Sequence, residues 1–344
     1  MEKFMYETEK MEVLKCIFDH MQDEESRQIY LARSCFSLSD DRKYMQYSIK
    51  NMVVSKVLYE GIAKHSKQKK VLFGAGTWGK AITELLDDIK WDYVVDNNSA
   101  GSEINGYKIA SVSEIDNIRE CFVVVGILFK YREVVEQLKK IGVMDKNILI
   151  LAEVAESKQY FDLPDISFTD NEVFIDAGGF NGDTSRYFVD RVDGKYEQIY
   201  VFEPDMKQAK ECKNNLADLE NIVVIQKATW DKKEILNFVT AGEGSHIEQN
   251  ELATNSIETI TIDEVLNGDK ATYIKMDVEG AEYKSLIGAQ NTIKKYYPKL
   301  AISVYHKRDD IWKIPMLLLK YNPNYKFYLR MYSFTGNDTV LYAL

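Results

Sequence analysis

Cysteine is scarce in this chain of 344 residues: Cys16, Cys35, Cys121 and Cys212 are scattered, with no Cys-x-x-Cys spacing. That scatter argues against a disulfide framework or a thiolate zinc site and reads as free thiols in a reducing compartment. Histidine is as sparse. His20, His65, His246 and His306 stand apart from one another, so their spacing calls for no metal. Positive charge is in deficit, with 44 Lys and Arg against 54 Asp and Glu and a net charge of −10. That balance argues against non-specific nucleic-acid binding, which needs a basic face to neutralise phosphates. No apolar run approaches the ~20 residues of a membrane span, and the first residues are acidic and polar, unlike a secretory signal. The expectation is a cytoplasmic protein with no membrane span and no nucleic-acid partner.

What is present is ordinary globular material, 45% apolar and 28% charged. It is too long for one hydrophobic core to serve, so two or three domains are expected. Residues 1–68 have no proline and a single glycine, Gly61. Met11, Leu14, Phe18 and Met21 recur at helical spacing, as do Val54, Val57, Leu58 and Ile62. This helical segment reads as a cap on the next domain, or as an interface for a homo-oligomer. Residues 69–152 alternate strands with helices, 153–171 read as a polar linker carrying Pro164, and 172–344 restart the alternation.

In the first βα unit, Val71-Leu-Phe73 feeds Gly74-Ala-Gly-Thr-Trp-Gly79, with a helix expected from Ala81 to Ile89. Gly74, Gly76 and Gly79 match the glycine pattern of a dinucleotide turn, with Trp78 inside it. Asp96 follows Gly76 by about 20 residues, where a ribose-binding acid stands.

The second unit carries more chemistry. Strands are expected near 173–176, 199–203, 222–226, 272–277 and 299–305, and three of them close on an acid: Asp176, Glu203 and Asp277. The last two strands, Lys326–Leu329 and Val340–Ala343, have no helix between them, which predicts an antiparallel final strand. Asp176 opens a loop, Gly178-Gly-Phe-Asn-Gly182, that leads into a helix beginning near Asp183-Thr184. The loop N–H groups and that helix start would favour a carboxylate, and Asp176 would meet a cationic ammonium. The spacing departs from the dinucleotide pattern, which favours the methionine portion of S-adenosylmethionine over a pyrophosphate. Glu203, about 25 residues after Gly178, is placed to accept two ribose hydroxyls. Thr229 and Trp230 follow the third strand, where adenine is flanked. Asp277, Glu279 and His306 are the candidate bases for deprotonating an acceptor hydroxyl, while Glu279 and Glu282 equally suit a helix dipole.

Together, Phe174-Ile-Asp-Ala-Gly-Gly-Phe-Asn-Gly-Asp-Thr184, Val201-Phe-Glu-Pro204, Thr259-Ile-Thr-Ile-Asp263 and Ile274-Lys-Met-Asp-Val-Glu-Gly-Ala-Glu282 resemble the FkbM-type methyltransferases over residues 172–344. The resemblance implies a class I α/β fold, a doubly wound sheet with an antiparallel final strand. It also implies S-adenosylmethionine as donor and O-methylation of a small-molecule, sugar or glycan hydroxyl, as in polysaccharide biosynthesis. Residues 69–152 resemble the small Rossmann-like domains that bind nucleotide-linked sugars, through the glycine turn, Asp96-Asn-Asn98 and Ile104-Asn-Gly-Tyr-Lys-Ile109. Two rival readings remain open: a non-catalytic nucleotide-binding scaffold, and an NAD-dependent oxidoreductase using the first glycine motif.

Overall fold

The computed structural model describes residues 2–161, 163, 166–239, 246–247 and 255–344. The chain divides into two compact units. One comprises Leu31–Gln159 and Met331–Asp338; the other comprises Met1–Tyr30, Tyr160–Arg330 and Thr339–Leu344. The 1–68 segment expected as one helical piece is therefore shared between both units.

In the unit built on 31–159, six strands run β1 Lys70–Phe73, β2 Tyr93–Val95, β3 Glu103–Ile104, β4 Tyr107–Ala110, β5 Phe122–Val125 and β6 Ile148–Ile150. Their order is β3-β4-β2-β1-β5-β6, parallel except for the β3–β4 hairpin. The hairpin turns on Asn105-Gly106, both at positive φ, which is the backbone a two-residue turn of this twist requires. Every residue of β5 is buried, as a central parallel strand demands. The helix after β1 spans Thr77–Leu85, four residues ahead of the expected start. Part of the expected linker is a helix, Leu151–Lys158. Its buried Leu151, Ala152 and Ala155 make too short a stripe to stand out among Glu153, Glu156 and Lys158.

The other unit holds a seven-stranded sheet: β7 Val173–Ala177, β8 Gln198–Phe202, β9 Ile222–Ile225, β14 Tyr273–Met276, β15 Lys299–Ser303, β16 Phe327–Met331 and β17 Thr339–Ala343. A separate four-stranded sheet contains β10 Ala228–Thr229, β11 Ile235–Val239, β12 His246–Ile247 and β13 Asn255–Ile260. The large sheet runs β16-β17-β15-β14-β7-β8-β9, and β17 lies antiparallel to β15, as the sequence predicts. Parallel strands with a late antiparallel insertion distinguish this sheet from that of a dinucleotide-binding dehydrogenase.

Its packing centres on aromatic rings. Phe174 stacks on Phe188 at 4.4 Å and on Tyr273 at 5.4 Å between centroids, while Phe161 and Phe168 meet them edge-on or tilted. Ahead of the sheet, helix Glu2–His20 buries Ile17, whereas Met11 of the expected stripe is exposed. The following turn is stitched to β16. Leu329 N–H donates to Ser26 Oγ at 2.9 Å, and Arg330 meets Asp23 at 2.6 Å. No helix among the described residues is long and apolar enough to cross a membrane.

Phe188→Ala removes the ring that Phe174 stacks on. Urea unfolding is expected to show a loss of about 3–5 kcal/mol, against roughly 0.5 kcal/mol or less for Phe129→Ala on the surface. Equal costs in the two variants would deny the aromatic stack its place in the core.

Candidate active site

Strand register places the site. Met276 pairs with Ala177, and Ala177 with Phe202. The residues that follow, Asp277, Gly178 and Glu203, therefore leave β14, β7 and β8 side by side at one edge. Backbone bonds hold that edge: Asp277 N–H donates to Ala177 O, and Gly178 and Gly179 N–H both donate to Phe202 O.

One register step back, Lys275 lies beside Asp176. Its Nζ is 3.0 Å from Asp176 Oδ1 and donates to Gly178 O at 2.6 Å, while Ser185 Oγ donates to Asp176 Oδ2 at 2.8 Å. Both charged side chains are nearly sealed, at 3% and 0% exposure. Asp176 was expected to meet a ligand's ammonium, but the structure gives that place to Lys275, whose own cation neutralises the carboxylate. Sequence reasoning missed Lys275, although a charge inside the apolar run Tyr273–Met276 was the available signal. An ion inside a strand must find a partner to offset its desolvation.

The glycine loop also differs from expectation. Gly178 has φ +83, and a Cβ there would strike Asp277 O, while one on Gly179 would strike Val201. Packing against the neighbouring strands already requires both glycines. The loop amides are spent internally: Gly178 and Gly179 on Phe202 O, Phe180 on Glu203, Gly182 on Gly179 O, and Asp183 on Asn181 Oδ1. Those five amides are paired within the protein, which leaves the loop fewer donors for a carboxylate than the sequence suggests. Asp183 and Thr184 open the helix Asp183–Arg191, and both are half-buried.

Glu203 is buried and accepts N–H bonds from Phe180 at 2.9 Å and Asp205 at 2.8 Å. Burial outweighs those bonds and pushes its carboxyl up to about 7. A carboxylate offers about four acceptor sites. Two are used by the Phe180 and Asp205 amides, which leaves two for a ligand's donors.

Thr229 and Trp230 are corrected. Thr229 is buried, its hydroxyl bonded to Ser285 at 2.7 Å. Trp230 is buried too; its indole N–H donates to Glu234 and the Lys284 ammonium covers its ring. Neither presents a free face for adenine. By sequence, the polar stretch Gly242-Glu-Gly-Ser-His-Ile247 suggests a lid over the cofactor, but residues 242–245 lie outside the described residues.

At the β14 end the structure gathers Asp277, Glu279, Glu282 and His306. His306 Nδ1 is 2.9 Å from Glu282 Oε1; its Nε2 is 3.2 Å from Glu279 Oε2 and 3.6 Å from Asp277 Oδ1. Burial alone would lower the imidazole's pKa, but the three carboxylates outweigh burial and raise it to about 11. At neutral pH the ring already carries its proton, so His306 is not a free base, contrary to expectation. Burial would raise Asp277, yet the charges of His306 and Lys275 and the Tyr160 hydroxyl hold it below the usual carboxylate range. Tyr160 donates to Asp277 Oδ2 at 2.7 Å and lies 5.3 Å from Lys275 Nζ, ring to cation. It was missed because it sits in the supposed linker. Glu279 has φ +53, a strained backbone of the kind that collects at functional sites. Glu282, expected on the helix dipole, is instead fully buried and accepts Val278 N–H at 2.9 Å.

In the unit built on 31–159, the three glycines divide by role. A Cβ on Gly74 would meet Ile127 and Gly126, and one on Gly79 would meet Gly74 O, whereas Gly76 faces open space. Asp96 accepts N–H bonds from Ala75, Asn98 and Ser99, which outweigh burial and hold its pKa low. Its carboxylate braces the turn. Trp78 is buried edge-on against Phe334 and donates to Ser333 Oγ, so it is core and not a ligand platform.

Residues 176–334 match the family model described as the methyltransferase FkbM domain. This stretch is an FkbM-type methyltransferase domain. S-adenosylmethionine is the cofactor of such a domain, and the sheet order is that of the class I fold. Residues 66–149 match the model described as C2185-like, N-terminal. Among solved structures, the FkbM methyltransferase from Methylobacillus flagellatus KT is similar in fold, with TM-score 0.51 and 18% identity, covering 93% of this chain and 99% of that one. Aeropyrum pernix fibrillarin, in complex with natively bound S-adenosyl-L-methionine, has TM-score 0.37 and 10% identity over 56% of this chain and 74% of its own. An rRNA methylase from Streptococcus thermophilus has TM-score 0.33 and 14% identity over 51% of this chain and 86% of its own. No curated protein matches the chain in sequence.

Two outcomes follow for the FkbM domain. Lys275→Met, which leaves Asp176 buried and unpaired, is expected to cost about 3–5 kcal/mol; adding Asp176→Asn should recover part of it in a double-mutant cycle. Glu203 is raised from 4.5 to about 7, so the fold holds its proton more tightly than the unfolded chain does. Its contribution favours the fold below pH 4.5 and is lost as pH rises to about 7, a swing of about 3 kcal/mol. Relative to the parent, Glu203→Gln should therefore gain stability across that window. A stability difference that stays flat with pH would show that burial does not hold the carboxyl up.

Proposed function

We propose that this chain transfers a methyl group from S-adenosylmethionine to a hydroxyl of a sugar, glycan or nucleotide-activated sugar. The observation that carries the reading is the shared edge where Asp277, Gly178 and Glu203 leave three neighbouring strands. Ligands of open α/β sheets bind beyond the carboxyl ends of the strands. When bound, the cofactor supplies a methyl group on a sulfonium, open to attack by an oxygen. Glu203 accepts the ribose hydroxyls. Lys275 and Asp176 lie beneath the loop and fix its course, acting as positioning residues. On the acceptor side Glu279, a third exposed, takes the hydroxyl proton, while the charged His306 holds Glu279 and Asp277 in place. Orienting the hydroxyl beside its base accounts for much of the rate such a site can give.

A nucleotide-linked sugar is favoured as a second ligand by one feature. Gly76 is exposed with nothing near its missing Cβ, while packing fixes Gly74 and Gly79. This is the division of labour in a turn whose middle glycine admits a pyrophosphate.

Calorimetry with S-adenosylmethionine, followed by methyl transfer to a panel of sugars and nucleotide sugars, tests the reading. Glu203→Ala is expected to weaken cofactor binding by more than ~1 kcal/mol, and Glu279→Gln to lower turnover with that affinity kept. Binding of reduced nicotinamide cofactor in place of S-adenosylmethionine would make the chain an oxidoreductase; binding without turnover on any acceptor would leave a scaffold. For the first unit, Gly76→Val should abolish nucleotide-sugar binding without lowering the melting temperature.

A further inference from the structure

We infer that Asp277, Glu282 and His306 form a binding site for a divalent cation of the Mn2+ class. One oxygen or nitrogen from each of the three lies within 4.8 Å of the others. A cluster of acids would not by itself make a site, but buried atoms of two of these groups make no hydrogen bond. Glu282 is fully buried, and its Oε2 has no hydrogen-bond partner. The His306 side chain is 10% exposed, and neither ring nitrogen makes a hydrogen bond of acceptable geometry, although three carboxylates stand within 3.6 Å. Donor atoms that converge at short range without pointing hydrogens at one another are placed as metal ligands are.

Charge supports the same assignment. Three carboxylates surround one imidazolium, and Lys275 is committed to Asp176. A divalent ion replacing the ring proton would reduce the surplus negative charge. Two carboxylates with one imidazole suit Mn2+ better than Mg2+, which prefers oxygen alone, and the absence of thiolates disfavours softer ions. An acceptor hydroxyl is a natural additional ligand for such an ion. The cation site stands on these three residues whether or not the acceptor is a sugar.

The test uses the whole protein, stripped with chelator and titrated with Mn2+, with binding followed by calorimetry and by the electron paramagnetic resonance of free Mn2+. One ion per chain is expected, with affinity falling about tenfold or more in Glu282→Gln and in His306→Gln. Circular dichroism melts establish that each variant folds, and Asp277→Asn gives the same reading should Glu282→Gln fail to fold. No saturable binding up to the order of 1 mM, or parent-like affinity in the folded variants, overturns the site. Parallel titration with S-adenosylmethionine separates the two readings: cofactor binding without Mn2+ binding removes the cation site alone.

Discussion

The buried pair between Lys275 and Asp176 is the interaction on which the rest of the edge depends. It joins β14 to β7 one register step before the last, where both strands open into loops, and the same ammonium grips Gly178 O. Desolvating two ions is costly, so the pair is retained for what it positions more than for net stability. With it in place, Gly178 can pass against the Asp277 carbonyl, and the Phe180 amide reaches Glu203. The FkbM domain's loop is shaped by its neighbouring strands before any ligand arrives.

Much of this was legible from the sequence, and the reasons are specific. Apolar runs that end in an acid, such as Phe174-Ile-Asp176 and Val201-Phe-Glu203, announce strand ends because burial stops where charge begins. The late antiparallel strand was readable because no helix pattern separates Leu329 from Val340. What escaped were contacts between residues far apart in the chain. Tyr160 reaches Asp277 across 117 positions, and nothing local marks it as more than a linker tyrosine. The aromatic stack of Phe174, Phe188 and Tyr273 likewise draws on three separate elements.

Charge state was the least legible property. His306 looked like a base because an isolated histidine titrates near neutrality. Its actual environment depends on Glu279 and Glu282, which the sequence places 27 and 24 positions away and the fold places against the ring. Trp230 and Trp78 failed for a related reason. An aromatic at a strand end or in a glycine turn has the same local signature whether it faces a ligand or a core, and here both indoles are packed with their N–H groups satisfied.

The position of β17 bears on how the chain acquires its fold during synthesis. β16 reaches the large sheet through β17, the final strand, inserted between it and β15. Until that segment emerges from the ribosome, β15 keeps an unpaired apolar margin and β16 has no strand of the large sheet to pair with. The nascent FkbM domain thus presents open strand edges until β17 has been synthesised, the condition under which chaperone capture and intermolecular pairing compete with native closure.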